Sequence, residues 1–229
     1  MATAEPVQDS GTSKPTVKGL MPPYRVLHDF LDGATAAALL AYAQTRENTF
    51  KPTRVIDRDR DLESVRVKEK HVPSIRMSVA THELSDFRPL LATKVLGLVP
   101  ELVRTLRMTP FETGPLELQL VAHGDGAFFK RHIDTQSAAT GPDDIRMLSG
   151  IYYLHATPKG FDGGALRLYA IGSPDFVDIP PEHNTFLAFP SWAPHEVMPV
   201  HCPSRRFSDS RFAINCWVYR KKAAEGDKT

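Results

Sequence analysis

From position 116 onward the chain is divided into eight short apolar runs, 116–122, 128–133, 147–154, 165–170, 176–179, 185–189, 196–201 and 211–219, each bounded by Gly, Pro, Asn or Asp. Runs this short, separated by residues that favour turns, read as strands. Eight strands must bury their inward faces against one another, which predicts a sandwich or barrel, and a jelly roll fits the count. The 229 residues allow a core large enough to fold without a disulfide or structural metal.

The first half reads differently. Residues 24–30 suggest a short strand, and Asp32-Gly33 opens an Ala- and Leu-rich helix over 34–46. Ser85 is placed to cap a second helix carrying Phe87, Leu90, Leu91, Val95 and Leu98 at helical spacing. Pro100 is expected to break or kink it, leaving 101–108 as a separate piece. Residues 54–70 hold six basic and five acidic side chains, which reads as a solvated loop. The expected organisation is a disordered tail over 1–20, a helical support region over 21–110, a β-core over 111–220 and a polar tail over 221–229. The fold class is mainly β, with supporting N-terminal helices packed along one sheet.

Composition narrows the function. A net charge of +1 provides no basic field for nucleic acid or an anionic membrane. No apolar run reaches the length needed to cross a bilayer, and the first twenty residues lack a secretory pattern, so a cytoplasmic location is expected. Cys202 and Cys216 are read as reduced thiols. Nine histidines are more than a chain of this size usually carries.

Two of those histidines fit a pattern. In His132-Ile133-Asp134, residues two apart on a strand face the same side, so an imidazole and a carboxylate can meet at one point. His195, at the start of a later strand, supplies a second imidazole. Two His and one Asp leave three positions open on a metal, the arrangement of non-heme Fe(II) centres that bind both a cosubstrate and oxygen. Zinc more often takes three His, or two His and a Glu. Period-2 alternation places Arg211, Ala213, Asn215 and Trp217 on one face of the last strand, and an inward Arg calls for an anionic partner.

The segments 124–134, Arg146 with 150–154, 163–169, 186–190, 194–197 and 211–217 follow one another in an order that resembles the prolyl 4-hydroxylase-like branch of the Fe(II)/2-oxoglutarate dioxygenases. The resemblance covers about 117–219 and implies a double-stranded β-helix of the jelly-roll kind. It implies iron ligation by His132, Asp134 and His195. It implies cosubstrate binding by Arg211 and Tyr153, with Ile151, Leu166 and Trp217 as pocket walls. His123 stands where the family usually has a cosubstrate-binding Tyr. The step from His195 to Arg211 is longer than usual, which makes Arg206 a rival anchor. Arg146 and Trp192 are the expected substrate-side residues.

The activity implied is hydroxylation of a C–H bond, with Fe(II), 2-oxoglutarate and O2 as cofactor and cosubstrates and ascorbate as a candidate reductant. Succinate and CO2 are the coproducts. A prolyl residue in a peptide or protein is the first expected substrate, with 54–70 as a flap over it. A free amino acid or small metabolite is the alternative, because fold does not fix substrate. A metal-free jelly-roll binding module and a cupin-type zinc hydrolase are readings from other classes. The oligomeric state is not legible.

Overall fold

The structure is a computed structural model that describes residues 19–61, 64–135 and 145–221, and of residues 56–69 the backbone alone. The expected tails, 1–20 and 221–229, fall outside these residues apart from 19, 20 and 221. In chain order the strands begin with β1 Arg25–Leu27, β2 Lys51–Pro52, β3 Val55–Asp61, β4 Ser64–Lys70, β5 Arg76–Met77 and β6 Val79–Thr81. They continue with β7 Thr113–His123, β8 Phe128–His132, β9 Arg146–Leu154, β10 Asp162–Gly163 and β11 Leu166–Tyr169. The last are β12 Phe176–Ile179, β13 Thr185–Pro190, β14 His195–Val197, β15 Val200–His201 and β16 Arg211–Arg220. The helices are α1 Gly33–Gln44 and α2 Phe87–Thr105.

Two antiparallel sheets make the body. The larger runs β1-β13-β9-β16-β7-β6-β2 and the smaller β12-β11-β14-β8-β5. Alternation along β9 and β16 splits the apolar residues between two cores. Leu148, Tyr152, Leu154, Phe212, Ile214, Cys216 and Val218 face a core shared with α1 and α2. Ile151, Tyr153 and Ala213 join Leu166, Leu168, Leu187, Phe189 and Val197 in a second core that includes both sheets. The helices therefore cover one face of the large sheet, and the small sheet covers part of the other. No helix among the described residues is long and apolar enough to cross a membrane.

Each of the eight runs contains a strand, but four local expectations change. The run 196–201 is divided: His195–Val197 lies in the small sheet, whereas Val200 and His201 pair with β10, because Pro199 has no N–H to continue a ladder. Within 54–70, residues 55–61 and 64–70 are strands rather than loop. Their backbone forms an antiparallel β3–β4 ladder whose register sets Asp57 opposite Lys68 and Asp59 opposite Arg66, so acidic and basic positions are matched across the pair.

Pro100 does not interrupt α2, which runs from Phe87 to Thr105. It sits on the exposed side, while Leu91, Val95, Val99 and Leu102 are buried on the other, and that burial holds the turns beyond it on the sheet. Ser85 does not cap the helix: its φ is 44°, and Asp86 occupies the cap position without a side-chain bond. Asp32 does cap α1, accepting the Thr35 N–H at 2.9 Å.

Candidate metal centre and its cleft

His132 ends β8 and His195 begins β14, and the antiparallel register makes them direct partners. Asp134, two residues past His132, is fixed by its backbone N–H, which donates to the Ser191 carbonyl at 2.9 Å. One ligand atom from each of the three side chains lies within 4.8 Å of the other two. This is the only such group of three His, Cys, Asp or Glu among the described residues. Each imidazole uses Nδ1 on a backbone carbonyl, His132 on Lys130 at 2.7 Å and His195 on Ala193 at 2.9 Å. Both Nε2 atoms are thereby left free to bind a metal. They lie 3.6 Å and 3.7 Å from the two Asp134 oxygens.

The carboxylate is oriented from behind. Asp134 Oδ2 accepts from Ser149 Oγ at 2.6 Å and from Trp217 Nε1 at 2.9 Å. Burial works to raise the Asp134 pKa, but His195, His132 and Ser149 outweigh it and hold the carboxyl well below its usual range. Burial, followed by the neighbouring His132, pushes His195 down to about 4 against the pull of Asp134. At neutral pH the group therefore offers a deprotonated carboxylate and a neutral His195, the forms that ligate metals.

A second polar group lies at the start of β16. Arg211 is 1% exposed and pairs across the ladder with His123 at the end of β7. Its Nε donates to the Gly164 carbonyl at 2.8 Å, its Nη1 lies 3.2 Å from His123 Nδ1, and its guanidinium sits 4.9 Å from the Tyr153 ring centre. Gly164 has φ +69°, and a Cβ there would come within 2.6 Å of Arg211 Cδ, so the approach requires glycine. Arg211 Nη2 and the Tyr153 hydroxyl are buried without any hydrogen-bond partner, and they are the only two such side-chain atoms among the described residues. Burial, then the Arg211 and Arg76 charges, drives the His123 pKa well below its usual value. His123 therefore stays neutral and accepts from Arg211 through Nδ1.

Beside the triad opens a cleft of about 880 Å3, lined by His132, Asp134, Arg146 and Trp217 together with Thr53, Arg76 and Gln119. Arg146 is tied down. It donates to Glu117 at 2.7 Å and to the Tyr219 hydroxyl at 2.9 Å, with its guanidinium 4.2 Å from the Trp217 ring centre. Arg206 points elsewhere: its side chain is 73% exposed and paired with Asp209 at 2.8 Å. Trp192 is exposed and does not line the cleft. Ile151 and Leu166 lie in the core between the sheets.

Sequence reading missed several residues of this site. Ser149 carried a signal, since alternation back from Tyr153 and Ile151 along β9 reaches it and the register sets it opposite Trp217. Its partner Ser191, 2.9 Å away, carried none. Arg76 and Gln119 were also unmarked. His82, which belongs to none of the motifs, also lines the cleft.

Residues 118–219 match the model of the 2OG-Fe(II) oxygenase superfamily. An uncharacterised PKHD-type hydroxylase of Synechocystis sp. is 39% identical over 140 residues, 58% of this chain and 45% of that protein. Human Egl nine homolog 1 is 33% identical over 104 residues, 42% of this chain and 20% of that protein. The chain thus spans less than half the length of these curated relatives. Among solved structures, a prolyl-4-hydroxylase from Pseudomonas putida superposes with a TM-score of 0.63 at 20% identity, over 86% of this chain and 92% of that one. A prolyl hydroxylase from Trichoplax adhaerens, in complex with a hypoxia-inducible factor oxygen degradation domain peptide fragment, gives 0.63 at 21% identity over 87% and 84%. These two likenesses are of fold.

Proposed function

The chain belongs to the 2OG-Fe(II) oxygenase superfamily through residues 118–219, in its prolyl hydroxylase-like branch, and on that premise we propose that it is an Fe(II)- and 2-oxoglutarate-dependent hydroxylase acting on a prolyl residue of a peptide or protein. The observation that carries this reading is the pair of orphaned atoms, Arg211 Nη2 and the Tyr153 hydroxyl. A buried donor without a partner costs roughly 1–3 kcal/mol, and two side by side mark the place of an absent acceptor. A carboxylate supplies that acceptor in the geometry a guanidinium binds best.

In this reading His132, Asp134 and His195 hold the iron, and Arg211 and Tyr153 bind the distal carboxylate of 2-oxoglutarate. When bound, the metal and 2-oxoglutarate would let O2 act as the oxidant, one of its oxygen atoms entering the substrate C–H bond and the other the succinate formed as CO2 leaves. The protein groups bind, orient and exclude water. Ser149 and Trp217 keep one Asp134 oxygen occupied, so the carboxylate meets the metal in one orientation. His123 positions Arg211 rather than carrying a proton. Ile151, Leu166 and Trp217 wall the pocket, and Arg146 braces Trp217 beside the substrate cleft.

An open cleft with exposed Ile75, Ile133, Lys51 and Arg54 along its rim favours a peptide. A small amino acid or metabolite is the second reading, favoured by Arg76, a further buried cation in the cleft. Neither cleft carboxylate is free to act as a hydrolytic base, since Asp134 belongs to the triad and Glu117 is held by Arg146 and Tyr219, which disfavours a zinc hydrolase. The test is to incubate protein, Fe(II) and 2-oxoglutarate with proline-containing peptides and with free amino acids, and to follow succinate and product mass together. Gain of one oxygen atom on a prolyl peptide is expected. Succinate without oxidised peptide, alongside an oxidised small molecule, would transfer the assignment to the second reading.

A further inference from the structure

The two ligands that flank the cleft are each backed by an aromatic ring, and each ring carries an arginine. Trp217, bonded to Asp134, lies under Arg146. Phe129, stacked on His132 with ring centres 3.6 Å apart, lies under Arg76, whose guanidinium is 4.7 Å from its centre. The two arginines differ in what neutralises them. Arg146 has Glu117, whereas among the described residues Arg76 has only neutral acceptors, Ser78 Oγ at 3.3 Å and Gln119 Oε1 at 3.4 Å. Its Nη1 has no partner among the described residues, and Arg76 lines the cleft.

Arg76 is 8% exposed, and burial lowers its pKa to about 10, with the Asp134 charge opposing that and the Arg146 charge adding to it. Asp134 is already committed to the triad. A nearly buried guanidinium with no carboxylate of its own calls for an anion from outside. Lys51 and Arg54 line the same cleft; Lys51 reaches only the Asn48 carbonyl at 3.5 Å, and Arg54 has no partner among the described residues. Arg76, Lys51 and Arg54 thus give the cleft three basic side chains with no anionic partner among the described residues.

We propose that Arg76 binds a carboxylate of the substrate next to the carbon that is oxidised, so that the cleft selects acidic substrates. This rests on the hydroxylase reading and adds a charge requirement to it. Two sources share the chemistry: an acidic side chain beside a prolyl residue in a peptide, or the carboxylate of a small molecule.

The test reads binding. Protein loaded with Mn(II) in place of iron and saturated with 2-oxoglutarate is titrated with blocked proline peptides in which Asp is scanned on either side of the proline, and with their Asn counterparts. N-acetylproline and N-acetylprolinamide form the second arm. Saturation ensures that competition at Arg211 is not what is read. At least one acid should bind on the order of tenfold more tightly than its uncharged counterpart. Arg76→Gln should reduce that preference to about twofold or less, and Arg76→Lys should retain part of it. A preference in the peptide arm assigns the carboxylate to an acidic side chain, and a preference in the second arm alone assigns it to a small molecule. No preference in the wild-type protein, or one that persists in Arg76→Gln, would overturn the proposal. The wild-type comparison stands whether or not a variant folds. Charge-blind binding by a protein that still forms the visible Fe(II)–2-oxoglutarate complex would reject Arg76's role alone; loss of that complex would reject the hydroxylase reading.

Discussion

Tyr153 and Arg211 are a liability to the protein without a ligand, and that makes them informative. Tyr153→Phe removes a buried hydroxyl that has no partner, so the ligand-free protein should be as stable as the wild type or more stable by about 1 kcal/mol. The stabilisation that 2-oxoglutarate confers should shrink. Paired thermal melts with and without 2-oxoglutarate separate the two effects, and a large loss of stability in the ligand-free variant would mean the hydroxyl is already satisfied. His123 provides a second test through pH. Burial and then the neighbouring cations keep it neutral in the folded protein, whereas an unfolded His takes up a proton below about pH 6.5. Its contribution is therefore intact above that pH and becomes progressively unfavourable as pH falls toward its lower folded value. Relative to His123→Gln, the wild type should lose roughly 1 kcal/mol more between about pH 6.5 and about pH 5.5, read by urea unfolding.

At the scale of elements, α2 shows packing overriding a local breaker. Pro100 is exposed and forfeits a helical hydrogen bond, so Pro100→Ala should stabilise the protein by about 1–2 kcal/mol without altering the cleft. Leu91→Ala, on the buried side, should cost about 2–5 kcal/mol in urea unfolding. The strands after position 116 were legible because one face is apolar and their ends are marked by turn residues. The triad was legible because His132 and His195 sit at strand ends and Asp134 follows His132 by two residues, the spacing that alternation brings to one side. The pairing of 55–61 with 64–70 was not, because charges matched across a register look, read along one strand, like a solvated loop. Strands β5 and β6 were missed because two or three residues carry no period. They complete both sheets and bring in Arg76, whose importance comes from the ring beneath it rather than from its neighbours in sequence.

For the whole molecule, two sheets hold the triad and the Arg211 group in one body, with the helices packed on the far face of the large sheet. Binding of metal and 2-oxoglutarate should therefore stabilise the fold as a unit. At concentrations about a hundredfold above their dissociation constants, each should raise the melting temperature by roughly 5–10 °C. In the proposed function His132, Asp134 and His195 bind Fe(II) while Arg211 and Tyr153 bring 2-oxoglutarate onto the same metal. The most direct measurement is anaerobic titration of the metal-free protein with Fe(II) and then 2-oxoglutarate, followed by visible absorption. A weak metal-to-ligand charge-transfer band that saturates at one equivalent of iron and is lost in Asp134→Ala is the predicted result; a flat spectrum with both components present would contradict it.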